Sequence, residues 1–211
     1  EQLCTYIREH YPDVTLILDA KRGDIGSTAE HYAREAFGRY GAHAVTVNPY
    51  LGLDSVTPFF DQGGGIIALC RTSNPGGDEL QSLDCGGEPL YLRVARLVAD
   101  GWSRHGECGL VVGATYPDEL GIVRAAAPEV PILVPGIGAQ GGDIDASVAA
   151  GRTHFDQCQS FVDNPATVFG LSGSTFAYCD FTSGLLTQAK VNGSYTLPWQ
   201  QIQVAGVLQN L

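Results

Sequence analysis

The chain has 211 residues, of which 44% are hydrophobic and 17% charged, so its composition excludes an intrinsically disordered protein and fits one domain of ordinary size. Its net charge of −11 argues against general nucleic-acid binding but leaves room for a small anionic ligand. No apolar run approaches the roughly 18–20 residues that a membrane span needs, and we expect no signal peptide at the start.

The first 151 residues alternate short apolar runs with helical patterns. Runs of four or five residues rich in β-branched types are typical of buried parallel strands, which predicts an α/β fold. The predicted strands lie at 14–18, 44–47, 66–70, 109–113 and 131–134. The predicted helices lie between and after them, at about 27–40, 53–62, 89–105, 117–127 and 142–150.

Polar or glycine residues follow nearly every predicted strand. In an open doubly wound sheet, functional groups concentrate at one switch point, whereas a ring of them favours a (β/α)8 barrel. A complete barrel needs about 250 residues, so five β–α units predict an incomplete one. The polar positions are Asp19 and Lys21, Asn48, residues 71–74, Thr115 and residues 136–140.

The pattern changes after Gly151. Residues 153–211 contain one lysine, Lys190, and no arginine, and they show no clear alternation of strand and helix. We therefore predict a partial barrel over residues 1–152 and a divergent tail of unknown structure over 153–211.

The six cysteines form no C-x-x-C pair, so we expect no zinc site and a reducing, cytoplasmic setting. Cys70 and Cys108 lie in or beside apolar runs, where cysteine usually packs as a small hydrophobic residue.

Asp19, Lys21 and Asp24 form the strongest candidate site. They directly follow the apolar run 14–18, and charge at the end of a buried strand is costly unless it is paired or used. Side chains 19 and 21 of a strand point the same way, and a carboxylate beside the lysine favours its charged form, which can donate a proton. The alternative is an ion-paired strand end without chemistry.

Two loops supply further candidates. Residues 135–143 (PGIGAQGGD) lie between a strand and a helix, and small residues let backbone N–H groups approach a phosphate. Residues 71–77 (RTSNPGG) carry hydroxyl and amide donors that suit a planar polar ligand. Each segment is also compatible with an ordinary turn.

Together, these segments resemble the orotidine 5′-monophosphate decarboxylase family in its bacterial long form. The resemblance covers about residues 10–152 and implies a (β/α)8 barrel that works as a homodimer without a cofactor. It also implies conversion of orotidine 5′-monophosphate to uridine 5′-monophosphate in pyrimidine biosynthesis. The matching segments are LILDAKRGDIGSTA (16–29), AVTVNPYLG (44–52), LCRTSNPGG (69–77), GLVVGATYP (109–117) and VPGIGAQGGD (134–143).

The resemblance also implies roles for residues of the charged run. Asp19 resembles the carboxylate that is placed against the substrate carboxylate, and Lys21 resembles the acid that protonates C6 of the pyrimidine. Asp24, with Ile25 and Thr28, resembles the group that reaches into the site of the partner subunit.

Three residues outside that run resemble substrate-binding residues of the family. Ser73 resembles the residue that bonds the pyrimidine, and Pro135 a residue that lines its pocket. Gln140 resembles the lid-loop residue that touches both base and phosphate.

The chain also departs from the family pattern. The first two strands, with a further lysine and an aspartate, are expected upstream of Glu1, so position 1 is expected to be internal to a longer product. A phosphate-binding arginine on the last strand has no counterpart, because Arg152 comes too early. We therefore expect the chain itself to be inactive or nearly so.

Two other interpretations stay open. One is another enzyme with the D-x-K-x-x-D pattern, such as a magnesium-dependent sugar-phosphate decarboxylase or aldolase. The other is a barrel remnant that binds nucleotide without chemistry.

Overall fold

The computed structural model describes residues 1–137, 142, 144–151, 190–196 and 203–209. The strands are β1 (Ile17–Arg22), β2 (Ala44–Val47), β3 (Gly65–Arg71), β4 (Cys108–Val112), β5 (Ile132–Leu133), β6 (Lys190–Thr196) and β7 (Gln203–Gln209). The α-helices are α1 (Gln2–His10), α2 (Gly26–Ala33), α3 (Leu53–Asp61), α4 (Asp78–Gln81), α5 (Leu90–Arg96), α6 (Pro117–Ala126) and α7 (Ile144–Gly151). A π-helical turn, Arg34–Arg39, continues α2, and the turns Leu97–Gly101 and Trp102–Arg104 continue α5.

Strands β1 to β5 form one parallel sheet in the order β1-β2-β3-β4-β5. Each strand pairs with the next one along the chain, and helices connect them. An open doubly wound sheet reverses its strand order at a switch point, whereas a barrel keeps sequential order. The fold is therefore part of a (β/α)8 barrel, which confirms the prediction.

The predicted tail contributes one described feature, an antiparallel pair of β6 and β7 in which Lys190 faces Gln209 and Thr196 faces Gln203. The other residues of the tail lie outside the described part of the chain.

The core forms because the apolar runs of the sheet are covered by helices. Strand β4 is buried along its whole length, as expected for a parallel strand with both faces covered. Trp102, in the turn Trp102–Arg104 that continues α5, belongs to the same core and has 1% of its surface exposed. Each fully buried Val, Leu or Ile contributes about 1.5–3 kcal/mol relative to an exposed one. This packing fixes the positions of the strand ends.

The first strand corrects a predicted boundary. It begins at Ile17 and includes the charged residues 19–22, whereas the sequence predicts a strand over 14–18 with the charges after it. The chain turns at residues 12 and 13, which delays the strand, and polar side chains can enter it because they find partners on its neighbours. The candidate residues Asp19 and Lys21 therefore lie within the sheet.

Cys70 and Cys108 are buried on β3 and β4, which confirms the predicted packing. Burial raises the pKa of Cys70 to about 12 and that of Cys108 to about 11. Because the thiolate is the reactive species, we expect iodoacetamide at about pH 8 to label the exposed Cys85 of the folded protein long before these two. Peptide mass spectrometry before and after unfolding in urea measures the difference. Equal labelling of Cys70 and Cys85 in the folded protein would contradict the packing.

No helix in the described part of the chain is long and apolar enough to cross a membrane.

Candidate functional site

The carboxyl ends of the five parallel strands lie at one edge of the sheet. This edge collects the polar residues that follow each apolar run: the Asp19–Lys21 segment, Asn48, Ser73, Thr115 and Pro135. In barrel proteins this is the edge at which catalytic residues are found.

An irregularity in β1 shapes the centre of the site. Leu18 pairs with Val45 and Arg22 pairs with Val47, so three residues of β1 lie opposite the single residue Thr46 of β2. Lys21, one of the three, has a φ of 46°, a left-handed conformation that costs an ordinary residue about 1–2 kcal/mol. The strand thus bulges where its charged side chains leave the sheet.

The bulge brings Lys21 and Asp19 into an ion pair in which the ammonium contacts both carboxylate oxygens. The Lys21 ammonium donates to Asp19 Oδ1 at 2.8 Å and to Oδ2 at 2.9 Å. The lysine side chain is 51% exposed and that of the aspartate 26% exposed, so the pair lies at the mouth of the sheet and a ligand can reach it. The Thr46 hydroxyl donates a third hydrogen bond to Asp19 Oδ1 at 2.8 Å.

The left-handed backbone at Lys21 should favour glycine over other residues at this position. Lys21→Gly is expected to be more stable than Lys21→Ala by about 1 kcal/mol, because glycine adopts a positive φ without steric cost. Urea unfolding measures both free energies. As a control, Ala44→Gly on β2, where φ is not positive, is expected to lose about 0.5–1 kcal/mol. A less stable glycine variant at position 21 would show that the bulge does not persist in solution.

Arg22 points away from the mouth and anchors the run to the helix layer. Its guanidinium forms an ion pair with Glu35 and lies 4.3 Å from the centre of the Tyr32 ring. The two neighbouring cations of the run therefore have separate partners: Lys21 pairs with Asp19 at the mouth, and Arg22 pairs with Glu35 within the fold.

Asp24, Ile25 and Thr28 lie beyond the end of β1 and in the first turns of α2. The Asp24 carboxylate accepts a hydrogen bond from the Ile25 N–H at 2.8 Å, and the Ile25 side chain is 58% exposed. Within this single protomer, no described hydrogen bond or ion pair joins Asp24 to the Asp19–Lys21 pair.

Ser73 follows β3 and lies against the end of β4. A side chain at Gly113 would meet the Ser73 backbone, since an ideal Cβ there would lie 2.9 Å from Ser73 N and Cα and 2.8 Å from its Cβ. Gln81 holds the preceding residue: its Oε1 accepts from the Thr72 N–H at 2.9 Å, and its Nε2 donates to Thr72 Oγ1 at 2.8 Å. The loop is therefore fixed from two sides.

The close approach at Gly113 predicts that Gly113→Ala displaces the Ser73 loop, because backbone atoms must move to accept the methyl group. We expect at least about a tenfold loss of affinity for uridine 5′-monophosphate, since a shift of about 1 Å in a positioned group is costly. Isothermal titration calorimetry measures the affinity of each variant for uridine 5′-monophosphate. Gly38→Ala is the control, because nothing lies within 4 Å of a Cβ there. Unchanged affinity in the Gly113 variant would remove Ser73 from the site.

The loop after β5 returns to the end of β4. The Ala114 N–H donates to the Pro135 carbonyl at 2.8 Å, and the Gly142 N–H donates to the Gly136 carbonyl at 3.1 Å. Gly136 has a φ of 94°, which explains the glycine at this turn. Pro135 is exposed at the mouth, and Gln140 lies outside the described residues.

The sequence interpretation missed two residues that organise the site. Thr46 lies in an apolar strand and gives no signal of its own, since its role depends on the register of β1. The sequence places Arg71 only in a polar segment, whereas its side chain is 2% exposed and forms ion pairs with Asp78 and Glu119. A charge directly after a buried strand is the signal that could have identified Arg71.

Comparison with known proteins matches most of the chain to one family. The family model described as "Orotidine 5'-phosphate decarboxylase / HUMPS family" matches residues 1–158. An orotidine 5′-phosphate decarboxylase of Janthinobacterium sp. (strain Marseille) is 54% identical over 193 residues, covering 91% of this chain and 71% of that protein. One from Bordetella avium (strain 197N) is 66% identical over 154 residues, covering 72% of this chain and 57% of that protein.

Solved structures of two Leishmania donovani proteins also resemble this chain. The Leishmania donovani OMP decarboxylase has 44% identity and a TM-score of 0.65, covering 71% of this chain and 58% of that one. The Leishmania donovani UMP synthase has 48% identity and a TM-score of 0.68, covering 71% of this chain and 34% of that one. This chain thus spans only part of each relative's length. The matched family model, the relatives and the strand-end geometry together establish that the chain belongs to the orotidine 5′-phosphate decarboxylase / HUMPS family.

Proposed function

We propose that the chain acts in the decarboxylation of orotidine 5′-monophosphate to uridine 5′-monophosphate, a step of pyrimidine biosynthesis. The observation that carries the proposal is the Asp19–Lys21 ion pair at the strand ends of a protein of this family. A carboxylate and an ammonium at one point can act on a substrate that loses a carboxylate and gains a proton.

Asp19 supplies the electrostatic part of the reaction. A substrate carboxylate about 4 Å from the Asp19 carboxylate is repelled by about 4 kcal/mol at an effective dielectric constant near 20. This repulsion disappears as neutral carbon dioxide leaves, so it favours the transition state over the bound substrate. The hydrogen bonds from Lys21 and Thr46 keep Asp19 in place while it is repelled.

Lys21 supplies the proton. When the bond from C6 to the carboxyl carbon breaks, its electron pair remains on C6, beside the ammonium group. An Nζ–H bond of Lys21 then breaks and a C6–H bond forms, which leaves a neutral amine that regains a proton from water. The positive charge also stabilises the carbanion before the transfer.

We propose that the neighbouring strand ends bind the nucleotide. Ser73, in its fixed loop, bonds the pyrimidine, and Pro135 lines the pocket of the base. Gln140 contacts base and phosphate from the glycine-rich loop that begins after Pro135. The small residues of that loop would let backbone N–H groups approach the phosphate, and Gly136, at its start, has a φ of 94°.

We also propose a homodimer in which Asp24, Ile25 and Thr28 reach the site of the partner subunit. The exposed side chains of Ile25 and Tyr50, 58% and 81% exposed respectively, supply apolar surface near that segment. Sedimentation velocity tests the proposed homodimer. Ile25→Asp is expected to shift the protein toward a monomer, and an unchanged sedimentation coefficient would contradict the dimer contact.

The proposed setting is cytoplasmic and the proposed reaction needs no cofactor. The described cysteines, Cys4, Cys70, Cys85 and Cys108, are free thiols, as is usual in a reducing compartment. Lys21 can supply the one proton that the reaction consumes.

The test is an assay of the full chain with orotidine 5′-monophosphate, followed by chromatography of the nucleotides. We expect slow formation of uridine 5′-monophosphate that is insensitive to EDTA. Activity abolished by EDTA and restored by Mg²⁺ would favour the magnesium-dependent alternative, although no described group of three His, Cys, Asp or Glu side chains could hold a metal. Binding of the nucleotide without turnover would favour a non-catalytic remnant.

A further inference from the structure

The hydroxyl of Thr46 connects the backbone of the bulge to the ion pair at the mouth. Its Oγ1 accepts a hydrogen bond from the Lys21 backbone N–H at 2.9 Å and donates one to Asp19 Oδ1 at 2.8 Å. Thr46 has no exposed surface, so water cannot replace either bond. One buried oxygen therefore contacts both residues of the pair.

The direction of these bonds follows from their chemistry. A backbone N–H can only donate, so the Thr46 oxygen accepts from Lys21 and its single hydrogen points to Asp19. Oδ1 of Asp19 thus receives hydrogen bonds from both Thr46 and Lys21 Nζ. This arrangement holds the carboxylate in one orientation.

The strand register shows why one residue must serve both partners. Three residues of β1 lie opposite Thr46, so the regular pairing of N–H and carbonyl groups is interrupted there. The Lys21 N–H would lose its partner without the hydroxyl, and the left-handed conformation of Lys21 would lose a constraint. A valine would fill the same space but satisfy neither group.

We infer that Thr46 is a positioning residue for catalysis: its hydroxyl fixes the three-residue bulge that aligns the Asp19 carboxylate with the Lys21 ammonium. The inference rests on the proposed function for the roles of these two residues. A buried hydroxyl that serves only folding would affect stability without affecting the site selectively.

The test compares Thr46→Val, which removes the hydroxyl at constant shape, with Thr46→Ser, which keeps it. Thr57→Val is the matched control, because it also removes a threonine hydroxyl and its hydrogen bond. In the wild type the Thr57 hydroxyl donates to the Leu53 carbonyl within α3. Three quantities are measured: amide hydrogen exchange at Lys21, the affinities for uridine 5′-monophosphate and its 6-hydroxy analogue, and kcat and KM. The 6-hydroxy analogue places an anionic oxygen where the carbanion forms and therefore reports on the Lys21 ammonium.

In Thr46→Val we expect exchange of the Lys21 amide to accelerate about tenfold or more and binding of the 6-hydroxy analogue to weaken about tenfold, with the affinity for uridine 5′-monophosphate nearly unchanged. We expect kcat to fall by about 100-fold with KM changing less than about threefold. Thr46→Ser is expected to restore each value, and Thr57→Val to leave each unchanged. Thr46→Ala repeats the comparison if the valine variant does not fold.

Wild-type exchange at Lys21 in Thr46→Val and Thr46→Ala would overturn the inference, as would equal weakening of both nucleotides or a failure of serine to restore them. If the wild-type chain neither binds nor converts nucleotide, the proposed function fails for this chain. The hydrogen-exchange comparison then still decides whether Thr46 holds the bulge.

Discussion

Lys21→Ala is expected to abolish the slow formation of uridine 5′-monophosphate that we expect of the wild-type chain, because the loss of rate is about 10⁴-fold or more. A general acid contributes roughly 10²–10⁴-fold, and the charge that stabilises the carbanion adds to this, since the same ammonium group performs both tasks. The loss should appear in kcat, because the group acts mainly after the substrate carboxylate begins to leave. A quenched assay with orotidine 5′-monophosphate measures it.

Lys190→Ala is the matched control, because Lys190 is the only other lysine of the chain and lies on β6. It is expected to retain the wild-type rate. Lys21→Arg keeps the positive charge but cannot release a proton at neutral pH, so it should recover little activity. Wild-type turnover in Lys21→Ala would refute the assignment of the proton donor.

Arg71→Ala is expected to have the largest effect on stability, a loss of about 2–3 kcal/mol in the free energy of unfolding. The guanidinium is 2% exposed, donates to Asp78 Oδ1 at 2.6 Å and lies 3.8 Å from the centre of the Tyr116 ring. Asp78 is 58% exposed and can be hydrated after the change, so the loss comes mainly from the ring contact and the space left behind.

Arg71→Lys separates charge from shape, because lysine keeps the charge but lacks the planar fork. We expect it to recover about half of the lost stability. Arg96→Ala is the control, because Arg96 is 49% exposed and forms an ion pair with Glu88. This variant should lose less than about 1 kcal/mol in the free energy of unfolding. Guanidinium chloride unfolding measures all three variants, and equal losses for Arg71→Ala and Arg96→Ala would contradict the buried position of Arg71.

The strands of the sheet could be predicted from the sequence, because short runs of β-branched residues have few other stable arrangements. The strand predicted over 44–47 has those bounds, and the helix predicted over 89–105 corresponds to α5 and its two continuing turns. The sequence pattern does not predict the helix α1, and it predicts the first strand a few residues too early. Charged residues within a strand contradict its apolar pattern, and they enter β1 only because partners on β2 and on the π-helical turn that continues α2 lie beside them.

The site was predictable only where local sequence fixes geometry. Asp19 and Lys21 stand two residues apart, and the structure brings them into contact, although through a bulge instead of a regular strand. The part played by Thr46 depends on the pairing of residues 25 or more positions apart, which no local pattern contains. The contacts of Asp24 with a partner subunit and those of Gln140 stay predictions.

We propose that this chain removes carbon dioxide from a pyrimidine nucleotide and that Lys21 protonates C6. The most direct measurement is mass spectrometry of the nucleotides after incubation of the full chain with orotidine 5′-monophosphate in D2O. Because the protons of an ammonium exchange with solvent, we predict uridine 5′-monophosphate carrying one deuterium at C6, formed by the wild type and not by Lys21→Ala. Unchanged orotidine 5′-monophosphate, or equal amounts of product from both proteins, would show that Lys21 does not carry this reaction in the chain.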